Sequence, residues 1–397
     1  MAGRRRVPGS SVVALCLLLV SLVACGGRTA ADPARAEVQR VLDRRAAAVL
    51  DHDRAAYTRT GTGAGFDNLS AVPLAEWSYR VGDVDRTGAT ATAAVELRYR
   101  FEGHDRGSVT AARTVRLSRD GADGRWSVDS DRPAERSGQQ PWDQGVVRVV
   151  RGEHSLVLGV GQPTGALRGY ADLADRAVPA VSDAWDGDWA RRVVVLVPGS
   201  LEDMAGLLGS PASSYRGIAA VTTGETGGRE RAPADRIIVN PDAYGLLGTL
   251  GKQVVLTHET THVATRADTT AATPLWLSEG YADWVGYRGS GRAPAEAAPE
   301  MAGAVSAGRV PAGLPTDEDF GFTADADELA RAYEGGWLAC RMIADQWGED
   351  RLDAFYRAVG AHDDRAGAAE DAMNEVLGTG PEEFTARWRE YLRAEFG

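Results

Sequence analysis

The chain has 397 residues, and its formal net charge at pH 7 is −12. This acidic balance argues against nucleic acid as a partner and against binding to anionic lipid by charge alone. Hydrophobic residues make up 44% and charged residues 25%, as in an ordinary globular protein, and the length is sufficient for two domains.

The N-terminus has the features of an export signal. Three consecutive arginines, Arg4 to Arg6, precede a mainly apolar run over residues 12–24. This run is too short to cross about 30 Å of hydrocarbon comfortably. We therefore expect residues 1–24 to be a signal peptide that is removed after export.

The end of this apolar run resembles a bacterial lipobox. Its last residues are Leu22-Val23-Ala24-Cys25. The resemblance implies that Cys25 is lipidated and becomes the mature N-terminus, followed by a tether over residues 25–32. Acylation with more than one chain would anchor the protein firmly at the extracytoplasmic face of the cell membrane. The alternative is ordinary secretion with an incidental cysteine.

The pattern after the tether changes to a helix and then to strands. Apolar residues recur at helical spacing over residues 33–58. Strand-like runs follow at residues 77–84, 89–101, 108–118 and 125–129. The alternation over residues 95–101 predicts an antiparallel sheet with one buried face. A helix followed by a long antiparallel meander resembles the NTF2-like α+β fold, which implies such a domain over residues 33–131.

A polar segment rich in proline and glycine comes next and predicts a linker over residues 132–144. Residues 145–397 are then expected to form a second domain. Its strand-like runs lie at residues 146–150, 156–159, 192–197, 217–222 and 236–239. A helix is expected over residues 165–184, between the second and third of these runs.

The most specific motif of the chain is His258-Glu259-Thr260-Thr261-His262, the H-E-x-x-H signature of zinc hydrolases. At 3.6 residues per turn, His258 and His262 share one face of a helix and can hold one Zn²⁺ together. Glu259 can then act as general base on water activated by the metal. Mostly apolar flanks predict a core helix, where unligated polar groups would cost roughly several kcal/mol.

A second helix, predicted over residues 275–287, offers a third ligand. Glu279 and Asp283 lie four residues apart and share a face of this helix. Glu279 can coordinate zinc through a carboxylate oxygen, and Asp283 can accept the free ring N–H of a ligating histidine. Gly280 costs the helix about 1 kcal/mol unless close packing requires it, which argues against a merely solvated face.

Together these two stretches resemble the gluzincin peptidases of the peptidase MA-like superfamily. Members carry H-E-x-x-H on one helix and a glutamate, often within W-L-x-E-G-x-A-x-x, on the next, and residues 276–284 match that string. The resemblance is close over residues 250–287 and looser over residues 146–397. It implies that one zinc ion is held by His258, His262 and Glu279, with Glu259 as general base and Asp283 as a supporting aspartate.

The resemblance also implies a two-lobed domain, with the zinc cleft between a mixed-sheet lobe and a helical lobe. Family members pair substrate backbone with an edge strand beside the metal. Residues 217–222 are the candidate, although a plain core strand is the favoured interpretation. Helices of the second lobe are predicted at residues 328–347, 350–359, 366–377 and 381–396.

Some gluzincins place a tyrosine that stabilises the oxyanion on a helix after the glutamate. Tyr333 is the candidate by position, and an aromatic side chain packed under the active site is an equal alternative. Tyr281 is interpreted as a core residue. Cys340 lies in an apolar helical run and is expected to be a buried, unreactive thiol.

One alternative changes the third ligand. Asp268 fits a metzincin-type pattern, H-E-x-x-H-x-x-G-x-x-[HD], in which Glu279 would have no role. That pattern needs a glycine where this chain has Thr265, because the backbone must leave the helix sharply. Glu279 is therefore preferred, and Asp268 stays open.

These observations lead to a zinc metallopeptidase that acts on peptide or protein substrates. We favour endopeptidase action, because the sequence has no identifiable motif for a free substrate amine. The alternative function is a non-catalytic zinc-containing lipoprotein that acts as a binding or sensor module. The sequence indicates neither the natural substrate nor the oligomeric state.

Overall fold

A computed structural model describes residues 33–120, 124–223, 234–321 and 326–397. The expected signal peptide and the tether with Cys25 lie outside these residues. No helix within the described ranges has both the length and the apolar character needed to cross a membrane. The fold is α+β, with one antiparallel sheet of four strands and one mixed sheet of five.

The N-terminal half consists of short helices and the antiparallel sheet. Its elements are α1 (Pro33–Leu50), α2 (Arg54–Thr58), α3 (Phe66–Leu69), β1 (Leu74–Thr87), β2 (Thr90–Phe101), β3 (Val109–Arg119) and β4 (Trp126–Pro133). The strands pair in chain order, and alternate residues of β2 are buried, as the sequence pattern predicts. The helix expected over residues 33–58 is interrupted, because His52 has a φ of 53° and Asp53 caps a new helix.

The second sheet contains β5 (Val147–Arg151), β6 (Ser155–Val160), β7 (Val193–Val197), β8 (Ala220–Thr223) and β9 (Arg236–Val239). Their order is β5-β6-β7-β9-β8, and α5 (Thr164–Ala184) connects the parallel strands β6 and β7. Among the described residues β8 pairs only with β9, so it is an edge strand. The interpretation of residues 217–222 as a core strand was therefore wrong: of this strand, only Ala220 is fully buried.

The mixed sheet is buried on both faces, and all five residues of β7 are buried. One face packs against α5 and the helices that follow, whereas the other shares a core with the antiparallel sheet. Trp142 belongs to this shared core, and its ring centroid lies 5.1 Å from that of Trp77. Residues 132–144 therefore contain packed structure, including α4 (Pro141–Gln144), and the division into two domains at this point stays a prediction.

The remaining helices are α6 (Leu201–Leu208), α7 (Pro241–Leu246), α8 (Thr249–Thr265), α9 (Leu275–Tyr287), α10 (Pro294–Ala297), α11 (Pro299–Ser306), α12 (Ala326–Trp347), α13 (Glu349–Gly360), α14 (Ala368–Ala372) and α15 (Pro381–Phe396). Helices α9 and α15 begin and end where the sequence predicts them. The helix expected over residues 366–377 is instead α14 followed by a π-helical turn, Met373–Leu377, that ends at Gly378 with a φ of 66°.

Candidate metal centre

Helix α8 carries the H-E-x-x-H motif through the interior of the protein. Its threonines can be buried because each hydroxyl donates a hydrogen bond to the carbonyl oxygen four residues earlier. These bonds run from Thr257 to Gln253 (2.9 Å), from Thr260 to Leu256 (2.7 Å) and from Thr261 to Thr257 (2.8 Å). A helix with many polar residues can therefore present two histidines from within the core.

Helix α9 brings Glu279 to these histidines. The Nε2 atoms of His258 and His262 are 3.0 Å apart. Glu279 Oε2 lies 3.2 Å from His258 Nε2 and 3.5 Å from His262 Nε2. Within the described ranges, these three residues form a group whose possible ligand atoms all lie within 4.8 Å of one another. Asp268, the alternative third ligand, is not part of this group.

The three donor atoms suit a zinc ion. Tetrahedral zinc binds histidine nitrogen and carboxylate oxygen at about 2.0–2.2 Å, so its ligand atoms lie about 3.3–3.5 Å apart. The separations of 3.0 to 3.5 Å are close to this geometry. The side chains of the three residues are 13–18% exposed, so the group is not sealed from solvent.

Electrostatics favour an ionised glutamate in this group. Burial raises the pKa of Glu279, but His262 and His258 outweigh burial and hold that pKa well below its usual range. Burial lowers the pKa of His258, yet the carboxylates of Asp283 and Glu279 hold it well above its usual value. The same carboxylates that attract a proton would attract a metal cation.

Asp283 is placed to orient the first histidine. His258 Nδ1 lies 2.7 Å from Asp283 Oδ1, one helical turn beyond Glu279. A proton on Nδ1 would leave the lone pair of Nε2 directed at the other two ligand atoms. The sequence predicted this aspartate as a partner for a ligating histidine, and the contact is with His258.

Glu259 points from α8 toward the edge strand β8. It is 6% exposed, and its Oε2 atom accepts a 2.7 Å hydrogen bond from Thr222 Oγ1. The same hydroxyl lies 3.1 Å from the backbone oxygen of Glu259. Sequence reasoning missed Thr222, because its partner is 37 residues away and no local pattern marks the contact.

Tyr333 on α12 lines the same cavity as His258 and Glu259. Burial raises the pKa of its phenol, and the charges of Glu279, Asp283 and Glu259 raise it further. The ring also makes an edge contact with Phe320 at a centroid distance of 5.1 Å. The hydroxyl is therefore protonated near neutral pH and can donate a hydrogen bond.

Two glycines allow α12 to approach α9. A Cβ atom on Gly280 would lie 2.3 Å from the backbone of Gly336, and a Cβ atom on Gly336 would lie 2.6 Å from the carbonyl oxygen of Trp276. Gly280 thus lies in close contact with the backbone of α12, and this contact explains a glycine inside α9. This crossing brings α9, which carries Glu279, against α12, which carries Tyr333.

The cavity lined by His258, Glu259 and Tyr333 has a volume of ≈ 640 Å³. One wall is residues 216–220, which lead into and begin β8. The apolar part of the lining comes from α8, α9 and α12 and includes Val254, Val255, Tyr287, Leu329 and Trp337. The arrangement is a cleft that reaches His258 and Glu259, with the segment leading into the edge strand β8 along one side.

Two residues near this cleft are structural, as expected. Tyr281 is fully buried, and its hydroxyl donates to Asp353 Oδ1 at 2.6 Å. Cys340 is also fully buried and has no disulfide partner among the described residues.

No protein-family model matches the chain, and a search of curated proteins finds no match. The resemblance to gluzincin peptidases therefore stays an expectation from the sequence motifs.

Proposed function

We propose that this protein is a zinc-dependent peptidase of the gluzincin type. The observation that carries the proposal is the convergence of His258, His262 and Glu279 within 3.0 to 3.5 Å, with His258 and Glu259 lining one cleft. Two imidazoles, one carboxylate and an accessible fourth side are the donor set of a catalytic zinc site rather than a structural one.

Glu259 and Tyr333 each have a defined part in the proposed reaction. When bound, zinc would polarise the substrate carbonyl and lower the pKa of a water molecule toward about 7. Glu259 takes the proton of the attacking water on its free carboxylate oxygen and passes it to the leaving amine. The hydroxyl of Tyr333 donates to the carbonyl oxygen as that oxygen gains negative charge.

The cleft favours an extended peptide as substrate. Strand β8 has one side paired with β9, and its other side borders the cleft that contains Glu259. Substrate backbone can add to this edge by β-augmentation, while its side chains meet the apolar wall from α8 and α12. We propose endopeptidase action at the extracytoplasmic membrane surface, with a lipid on Cys25 as anchor and an NTF2-like domain over residues 33–131.

The test is cleavage of a mixed peptide library by the full-length protein and by its Glu259→Gln variant. The amide can still accept the hydrogen bond from Thr222, so the change removes the base with little change in packing. We expect chelator-sensitive cleavage by the parent, a loss of about 10²–10⁴-fold in the variant, and equal zinc content in both.

The control is Glu202→Gln, because Glu202 is exposed and lies outside the cleft. Its cleavage rate should equal that of the parent. If the parent and Glu259→Gln both hold zinc and neither cleaves any peptide, the non-catalytic zinc-containing lipoprotein becomes the better description.

A further inference from the structure

A second large cavity lies in the N-terminal half of the protein, away from the metal ligands. Its volume is ≈ 510 Å³, within the range of about 300–1,000 Å³ that is typical of small-molecule sites. Helices α1 to α4 and strands β1, β3 and β4 contribute to its lining. None of the residues proposed for peptide hydrolysis lines it.

Aromatic side chains form much of the wall. Tyr57, Trp77, Tyr79 and Trp142 all line the cavity, and each is at most 5% exposed. The rings of Trp77 and Trp142 pack edge to face, with centroids 5.1 Å apart. Such a wall can bury the body of an apolar or aromatic ligand.

Arg45 is a buried cation in this lining, with 1% of its surface exposed. Its Nη1 donates to Thr60 Oγ1 at 3.1 Å, and its Nη2 donates to the backbone oxygen of Thr62 at 3.0 Å. Both acceptors are neutral, and the guanidinium also lies 3.5 Å from the centre of the Tyr57 ring. Its Nε–H has no acceptor within the described ranges. A buried charge with neutral partners is costly, and an anion would offset that cost.

Three acidic residues line the cavity, and each accepts a hydrogen bond from a residue other than Arg45. Asp129 accepts one from Ser118 Oγ at 2.7 Å. Arg113 donates from Nε to Asp131 at 2.8 Å and from both terminal nitrogens to Asp143 at 2.8 Å. Tyr79 donates its hydroxyl to the second oxygen of Asp131 at 2.9 Å. Three arginines line the cavity: Arg45, Arg113 and Arg132. Arg113 has two carboxylate partners, whereas Arg45 is hydrogen-bonded only to neutral groups among the described residues.

We propose that this cavity binds an organic acid, with its carboxylate on Arg45 and its apolar body against Trp77 and Trp142. A carboxylate is the acceptor that best matches a guanidinium. The site is independent of the proposed peptidase activity, and it gives the N-terminal half a ligand-binding role.

Calorimetric titration of the full-length protein with phenylacetate tests this site. Phenylacetamide, which has the same size and no charge, is the matched ligand. We expect phenylacetate to bind at least about tenfold more tightly than the amide, and Arg45→Met to weaken its binding by about tenfold or more. A tripeptide that ends in phenylalanine, as free acid and as amide, distinguishes a peptide C-terminus from a small acid.

Two further variants keep the test decisive. Arg44, next to Arg45 on α1, is exposed and does not line the cavity. Arg44→Met should therefore leave binding unchanged. Ala64→Trp places a large ring on an exposed lining residue and should abolish binding while circular dichroism stays the same, even if Arg45→Met fails to fold. Equal binding of acid and amide, unchanged binding in Ala64→Trp, or no binding at millimolar phenylacetate would overturn the proposal.

Discussion

At the scale of single residues, the proposed catalytic side chains are held by partners that do not belong to the ligand group. Asp283 lies 2.7 Å from the ring nitrogen of His258 that faces away from the other ligands. Thr222 donates to Glu259 from a different element of the fold. Such partners fix ring orientation and carboxylate position, so their removal should weaken metal binding or catalysis without unfolding the protein.

Asp283→Ala should lower zinc affinity by about 10–100-fold, because His258 loses the acceptor that fixes its tautomer. The measurement is a zinc titration in competition with a chromogenic chelator. Asp350→Ala, at an exposed position of α13, is the control and should bind zinc like the parent. Unchanged affinity in Asp283→Ala would remove Asp283 from the site.

Thr222→Val should reduce kcat by about 10–100-fold, because Glu259 loses the hydrogen bond that holds its carboxylate in position. Zinc content should stay unchanged, because Thr222 is not one of the proposed zinc ligands. Thr222→Ser keeps the hydroxyl and should restore most of the rate. The measurement is kcat on a peptide found by library screening. An equal loss of kcat in both variants would show that the hydroxyl of Thr222 does not contribute to the rate.

At the scale of elements, the cleft depends on how closely α9 and α12 can cross. The helices meet where Gly280 faces the backbone of Gly336, and this contact sets the distance between the metal ligand on α9 and the tyrosine on α12. A side chain on either glycine would push the helices apart. The crossing should therefore affect stability and, if the proposed peptidase activity is present, catalysis as well.

Gly280→Ala should destabilise the protein by about 1–3 kcal/mol and also reduce kcat, because its Cβ would lie 2.3 Å from Gly336. Gly303→Ala in α11 is the control, since its Cβ would have no neighbour within 4 Å. Alanine there should be neutral or stabilise by up to about 1 kcal/mol. Chemical unfolding and peptide cleavage provide the two measurements, and a Gly280→Ala protein as stable as the parent would contradict the close packing.

A half-buried carboxyl, that of Asp353, joins α9 and α13, and its protonation should depend on pH. Burial raises the pKa of Asp353 to about 6, even though Tyr281 donates a hydrogen bond to it. In an unfolded chain the pKa of an aspartate is about 3.9. The folded protein therefore holds this proton more tightly, and the resulting stability is present below about pH 4 and lost as pH rises through about 6.

Asp353→Asn should remove this dependence. Relative to the parent, the variant should gain about 1 kcal/mol between pH 4.5 and pH 7.5, a value that allows for solvent screening of a half-buried group. The measurement is the difference in melting temperature between variant and parent at both pH values, with chelator present throughout. A difference that stays constant with pH would show that Asp353 titrates normally.

At the scale of the whole molecule, local sequence patterns predicted most elements and the ligand group, but not the contacts between distant elements. The bounds of α9 and the spacing of His258, Glu259 and His262 follow from helical periodicity alone. The edge position of β8 does not, because strand order depends on pairing across the whole sheet. Burial of Trp142 likewise depends on contacts with rings of β1 and β2, among them Trp77 and Tyr99, which no pattern within residues 132–144 reveals. The polar composition of that segment alone therefore indicates a linker.

A buried ion pair links the two sheets, and it provides the last prediction. Arg236 on β9 donates to both oxygens of Asp105, at 2.7 and 2.8 Å, and their side chains are 8% and 1% exposed. Asp105→Ala leaves the guanidinium buried without its carboxylate and should destabilise the protein by about 3–5 kcal/mol. The control, Asp67→Ala, breaks an exposed pair with Arg54 and should cost about 0–1 kcal/mol.

A double variant tests whether the loss of stability in Asp105→Ala comes from the guanidinium of Arg236 that is left buried without a partner. Replacing both partners, as in Asp105→Leu with Arg236→Met, removes the buried charge and should recover most of the stability lost in Asp105→Ala. Because β9 pairs with β8, the single variant should also lower kcat by displacing Thr222 from Glu259. Chemical unfolding and cleavage rates of the three proteins decide the matter: a single variant that loses less than about 1 kcal/mol would mean that the sheets are held together by their shared apolar core alone.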